Sequence, residues 1–148
     1  MKILISLVIS LVISLITISV HADNVGYYTS KTTIDNNYPF SDAVTVGDIL
    51  YLSGIIGETN GELVEGGIVG ETHQAMKNMQ VILKQHDLDL SNIFKCLVMI
   101  DDISQWGLFN SVYIQYFNRP YPARSAFGAD GLAMNASFEI ECMAKIPR

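Results

Sequence analysis

One long amphipathic run constrains this chain more than any other feature. Across residues 68–86, Ala75, Met76, Met79, Ile82 and Leu83 recur at spacings of three and four. That spacing lays them on one face of a helix, with the methionines filling its core side. A helix with one apolar stripe must bury it against another element. Around this run the pattern shortens to strand length: 25–33, Ala43–Val46, 49–56 and Ile93–Ile100. Gly47-Asp48 sits between two of these strands and reads as a two-residue hairpin turn. A second helix is expected from an N-cap at Ser104 to residue 117, burying Phe109, Val112, Tyr113, Tyr116 and Phe117. Two further strands follow, at 123–127 and 136–146. The order is several strands, helix, strand, helix, two strands. It predicts an α+β fold with a mixed sheet and both helices on one face.

Residues 57–67 mix glycines with polar residues and read as a surface loop. The Gly66-Gly67-Ile68-Val69-Gly70 run lacks the lysine a phosphate cradle needs. The chain has 148 residues and a net charge of −6. That length suits one domain. The acidic balance argues against a nucleic-acid partner, because phosphate binding needs a basic patch.

The N-terminus carries its own signal. Met1-Lys2 precedes an uncharged apolar run from residue 3 to 20, and Val20-His21-Ala22 then offers a small-residue cleavage site. We read residues 1–22 as a secretory signal peptide and 23–148 as the folded domain, periplasmic or secreted, with no stable membrane association after cleavage. An uncleaved anchor is the competing reading. Cleavage removes Lys2 and no acid, leaving the domain more acidic still.

Cys96 and Cys142 both fall in predicted strands. Export makes a disulfide possible, but the expectation is two free, buried cysteines acting as small apolar residues. His73 and His86 are expected exposed on one helix. Neither stands at ligand spacing from a cysteine, so no metal site is predicted.

The chemistry concentrates near the C-terminus, in Tyr121-Pro122-Ala123-Arg124-Ser125-Ala126-Phe127 and Phe138-Glu139-Ile140-Glu141. Glu139 and Glu141 lie two apart in a strand and therefore share a face. An arginine fork clamps a small carboxylate with two parallel hydrogen bonds. A glutamate can position or deprotonate a water. These residues suit a small carboxylate-bearing substrate attacked by water. The alternative is a structural ion pair between Arg124 and a glutamate. Gly54, inside a strand, marks either close approach of a ligand or a bulge.

Taken together, these pieces are similar to a known family. Pro39-Phe40-Ser41-Asp42-Ala43-Val44, Leu52-Ser53-Gly54, the helix with Thr72, Gln74-Ala75 and Asn78, Phe109-Asn110-Ser111-Val112-Tyr113, Pro122-Ala123-Arg124-Ser125 and Glu139-Ile140-Glu141 stand in shared order and spacing. Across residues 38–145 the chain resembles the RidA/YjgF family of small enamine/imine deaminases. The resemblance implies a chorismate-mutase-like α+β fold. It implies a homotrimer with ligand clefts between neighbouring subunits. It implies hydrolysis of 2-imino acids to 2-oxo acids and ammonia, without cofactor or metal. The family's carboxylate-binding arginine falls on Arg124, its water-positioning glutamate on Glu139 and its cleft-lining strand glycine on Gly54. Phe40, Asn110 and Ala126 fall at further substrate-binding positions.

The chain departs from that pattern in three places. Phe40 replaces a frequent tyrosine and removes a hydroxyl from the cleft, and Ala126 replaces a common cysteine. Ile55-Ile56-Gly57 replaces a usual Gln-Ile-Pro. These departures keep a second reading open, a non-catalytic trimeric module that binds small carboxylates. A ribonuclease reading, attached to some relatives, fits poorly with the acidic balance.

Overall fold

The computed structural model describes residues 25–147, so the expected signal segment at 1–22 lies outside the described residues. Gly47 takes a φ of 59°, open to glycine and costly elsewhere. It closes the predicted hairpin between β2 (Ala43–Val46) and β3 (Ile49–Leu52), in the register Val46↔Ile49. Outside β2 runs β1 (Val25–Tyr28), shorter than expected. It stops because Ser30 caps a five-residue helix, α1 (Lys31–Asp35), by accepting from the Thr33 amide. Asp42 locks that turn, accepting from the Ser30 amide and the Thr33 hydroxyl. Such local side-chain bonds compete with strand pairing.

The stretch expected as a loop contains a small hairpin, β4 (Glu58–Thr59) with β5 (Glu62–Leu63). Asn60 and Gly61 both take positive φ at its turn, as an Asn-Gly turn favours.

The long helix is α2 (Gly67–Lys84), two residues short of the predicted end. Asp87 turns the chain with a φ of 56°, and the Leu88 amide bonds back to the Leu83 carbonyl. His86 therefore lies beyond the helix. It is half-buried, edge-on to Tyr28 at 5.2 Å between rings, rather than exposed. His73 is also half-buried, its Nδ1 2.8 Å from the Tyr116 hydroxyl.

β6 (Ile93–Ile100) has the predicted bounds. The second helix begins later and ends earlier than expected: α3 spans Trp106–Tyr113. Of the two capping candidates the sequence offers here, the Asp101-Asp102 pair at the strand end and Ser104, it is Asp102 that caps. It accepts from the Ser104 amide and opens a 3₁₀ turn, Ile103–Gln105, ahead of the helix. Residues 114–116 continue as turns, which leaves Tyr116 half-buried. β7 (Ala123–Gly128) and β8 (Phe138–Lys145) complete the chain.

The main sheet runs β1-β2-β3-β8-β6-β7, antiparallel except for the parallel β6–β7 pair. One face is core. Leu50, Val98, Ile100, Phe138 and Ile140 pack there against Met76, Met79, Leu83 and Phe109 of α2 and α3. Both longer helices thus cover a single face, as expected. Glu71 is a buried carboxylate on α2 that pins the start of β8, accepting from the Ser137 amide at 2.7 Å and its hydroxyl at 2.6 Å.

The cysteine expectation is corrected. Cys96 and Cys142 are register partners across β6 and β8, and they form a disulfide inside the core. Sequence placed both in strands but did not fix their register.

Among the described residues, no helix covers the other sheet face. Val44, Tyr51, Leu97, Met99, Phe127 and Met143 alternate out onto it beside Glu139 and Glu141, all half-buried or exposed. No helix among the described residues is long and apolar enough to cross a membrane.

Candidate functional site

Arg124 is the second residue of edge strand β7. Its register partner on β6 is Cys96, so it points to the helix-covered side. There it meets α3. Asn110 Oδ1 accepts from an Arg124 terminal nitrogen at 2.6 Å. The guanidinium carbon lies 4.5 Å from the centre of the Tyr113 ring and 5.3 Å from that of Phe109. Burial against these rings lowers the pKa of Arg124, with a weaker opposing contribution from Tyr113. Arg124 forms no ion pair among the described residues; the salt bridges there join Lys31 to Asp35 and Lys145 to Asp48. The structural ion pair weighed from sequence is therefore not what holds Arg124.

Arg124 opens into a hollow of about 240 Å³ lined by Asn110, Tyr113, Ile114, Tyr121 and Pro122. Ala126 lies on the same strand face, two residues on. A larger hollow of about 500 Å³ adjoins it at Pro122 and includes Arg119, Asn118, Gln80 and Asp89. It contains none of the predicted site residues.

Glu139 lies elsewhere. Its partner on β6 is Met99, and its neighbours in β8, Phe138 and Ile140, are fully buried. Alternation therefore puts Glu139 on the bare face, opposite Arg124. Gly54 is beside it, since a Cβ there would overlap the Glu139 carboxylate. It is neither bulge nor strand interior: β3 has ended at Leu52, and the chain touches β8 again through the Ile55↔Ile140 bridge. Burial raises the pKa of Glu139, and the like charge of Glu141 raises it further. A carboxylate so poised takes and returns protons nearer neutrality than a free one.

Phe40 is half exposed and stacks on Tyr38, with ring centres 5.4 Å apart. Its neighbour Ser41 accepts a hydrogen bond from Ser53 Oγ at 2.6 Å, which ties Phe40 to the Gly54 side. The predicted residues thus fall into two clusters, Arg124 with Asn110 and Ala126, and Glu139 with Gly54. One chain does not bring them to a common hollow. Sequence reading treated Phe109 and Tyr113 only as core. Their position one turn around Asn110 was the available signal that they also underlie the arginine. Among the described residues there is no group of three or more His, Cys, Asp or Glu placed to hold a metal ion.

Comparison with known proteins bears on this geometry. The family described as Endoribonuclease L-PSP matches residues 30–146. A human protein named 2-iminobutanoate/2-iminopropanoate deaminase is 41% identical over 108 residues, covering 72% of this chain and 79% of that protein. Reactive Intermediate Deaminase A, chloroplastic, of Arabidopsis thaliana is 36% identical over 73% of this chain and 59% of its own length. The crystal structure of YyfA, a Rid-family protein of unknown function from Yersinia pestis, superposes with a TM-score of 0.71 at 34% identity, covering 74% of this chain and 89% of that one. With the family match spanning most of the chain and the mixed sheet and helices agreeing, this protein belongs to the RidA/YjgF (Endoribonuclease L-PSP) family.

Proposed function

We propose that the protein hydrolyses reactive 2-imino and enamine acids to 2-oxo acids and ammonia. The observation that carries this reading is Arg124. It is a guanidinium anchored by a neutral amide and faced by rings, with no carboxylate partner among the described residues, in a hollow the size of a small organic acid. The substrate carboxylate takes the free edge of the fork. The iminium carbon is already electrophilic, so the protein has only to hold the substrate, orient a water and manage protons. Glu139 takes a proton from the attacking water as its oxygen bonds to that carbon. The carbinolamine nitrogen then takes that proton from Glu139, the C–N bond breaks as the Glu139 carboxylate removes the remaining hydroxyl proton, and the 2-oxo acid is left with ammonia, which that second proton converts to ammonium. The deaminase names of the human and Arabidopsis relatives support the substrate class.

Arg124 and Glu139 lie on opposite sheet faces, so a shared ligand requires two copies. We infer a homotrimer in which Arg124, Asn110 and Ala126 of one subunit meet Gly54, Glu139 and Phe40 of the next. The bare apolar sheet face supports it, since such a surface is costly in water. Export to the periplasm or beyond is the matching location. The Cys96–Cys142 disulfide supports it, because disulfides persist in oxidising compartments. The proposal includes no metal, cofactor or nucleic-acid partner. The family description mentions an endoribonuclease, but a net charge of −6 is a poor match to a polyanion.

The test generates 2-iminopropanoate with an amino-acid oxidase and follows its decay by semicarbazide trapping. Wild-type protein accelerates the loss of imine, and Arg124→Ala does not. Equal traces for wild type, Arg124→Ala and no protein would falsify the enzymatic reading. One observation favours a second reading. Phe40 brings no hydroxyl to the site and stands half exposed, as suits a non-catalytic carboxylate-binding trimer. That reading expects 2-oxobutanoate to raise the melting temperature without turnover.

A further inference from the structure

We infer that Tyr113 is a positioning residue of the Arg124 site: its ring face carries the guanidinium and holds the free edge of the fork ready for a carboxylate. The inference rests on the carboxylate-binding reading of Arg124 proposed above. A guanidinium is a flat group with two faces and three edges. The rings of Tyr113 and Phe109 lie 4.5 and 5.3 Å from its carbon. Asn110 Oδ1 takes one Nη2 hydrogen. The structure assigns the Nε and Nη1 hydrogens no hydrogen-bond partner among the described residues. Contacts with faces leave edges open, and edges are what a carboxylate needs.

The three supports come from one turn of α3. Phe109 and Tyr113 stand four apart, and Asn110 and Tyr113 three apart, so all share one side of the helix. Tyr113 is only 4% exposed, which fixes its ring. Arginine has many rotamers, and ordering it on binding is costly. Here the ordering is done before a ligand arrives.

The ring acts rather than the hydroxyl. The Tyr113 hydroxyl is buried and has no hydrogen-bond partner among the described residues, so it makes no hydrogen bond to Arg124. An unpaired buried hydroxyl is destabilising. Ring and hydroxyl can therefore be separated by substitution.

The experiment compares wild type, Tyr113→Phe and Tyr113→Leu by NMR of the arginine Nε–H resonances, by 2-oxobutanoate titration, and by KM and kcat in imine hydrolysis. In wild type the Arg124 Nε–H resonance is displaced by ring current. In Tyr113→Leu it relaxes toward the free-arginine position, and the Kd for 2-oxobutanoate and KM rise roughly tenfold while kcat at saturation changes by less than about threefold. Tyr113→Phe restores the resonance and KM and melts at a higher temperature than wild type. Three results overturn the inference: no ring-current displacement in wild type, a Tyr113→Leu variant that binds like wild type, or a Tyr113→Phe variant as impaired as Tyr113→Leu. The first needs no variant to fold. A wild type that shows the displacement but does not bind 2-oxobutanoate overturns the carboxylate reading of Arg124 instead.

Discussion

The covered and bare faces of the six-stranded sheet are made by alternate residues of the same strands, yet they are finished to different degrees. On the covered side, Phe138, Ile140, Cys142 and Ala144 of β8 are at most 2% exposed, packed under α2 and α3. Arg124 on that side is already anchored to Asn110 and two rings. On the bare side, Glu139, Glu141 and Met143 of the same strand stay half-buried beside Tyr51 and Phe127. Among the described residues, neither glutamate has an arginine or lysine within ion-pair distance. The covered face is stable within one chain. The bare face needs something placed on it, and the proposed neighbour subunit both covers its apolar surface and brings an arginine to Glu139. The two halves of the proposed site thus lie on faces finished to different degrees, and the predictions probe that division.

The largest effect breaks the division outright. Arg124→Ala and Glu139→Gln should each reduce imine hydrolysis by a hundredfold or more, on the order of 2–5 kcal/mol for the lost charge contact. Refolding the two inactive variants together at equal ratio should restore activity to about a quarter of wild type, since one in four interfaces of a cyclic trimer then holds both intact groups. A mixture as dead as its parents would place both groups in the same subunit's site, or in none.

The second effect belongs to the covered face alone. Replacing Cys96 and Cys142 by alanine removes a cross-link spanning 46 residues, which should cost about 2–4 kcal/mol of stability. Thermal melting in the presence and absence of reductant measures it. The Kd for 2-oxobutanoate should stay near wild type at temperatures where the variant is folded. A large loss of affinity would show that the core and the site are not separable.

The third is confined to the bare face. Gly54→Ala puts a methyl group where the Glu139 carboxylate lies. The carboxylate must move, and turnover should fall roughly tenfold or more with KM less affected, because misplacing a catalytic group costs rate before it costs binding. Unchanged kcat would separate Glu139 from the reaction.

The sequence made these faces unequally legible. Period-2 alternation around Glu139-Ile140-Glu141 was readable because burial on one side writes hydrophobicity into every second residue. The Gly47 turn was readable because the conformation demands glycine. Asn60-Gly61 is an equally strong turn signal, but its flanks, Glu58-Thr59 and Glu62-Leu63, are too polar to read as strands. The disulfide was missed because strand register is a tertiary fact. The candidate site residues were legible one at a time through family likeness. Their separation onto two faces was not, because the parity linking Arg124 to Glu139 passes through β6, by Cys96↔Arg124 and Met99↔Glu139. No local pattern encodes that relation.

The smallest effect concerns the charge of one neighbour. Glu139 has its pKa raised first by burial and then by Glu141. A general base works deprotonated, so activity falls as pH drops through its pKa. Glu141→Gln removes the like charge, lowers the pKa of Glu139, and should shift the acidic limb of kcat/KM toward lower pH while leaving the plateau nearly unchanged. Stability carries the opposite sign. A carboxyl group whose folded pKa lies above its unfolded value binds its proton more tightly when folded, so its contribution is favourable at low pH and is lost as pH rises through the folded pKa. Glu141→Gln should therefore raise the melting temperature slightly at neutral pH, with the gain fading in acid. A limb that stays put would mean that the group titrating in the profile is not Glu139, and the bare face would keep its covering role without a catalytic one.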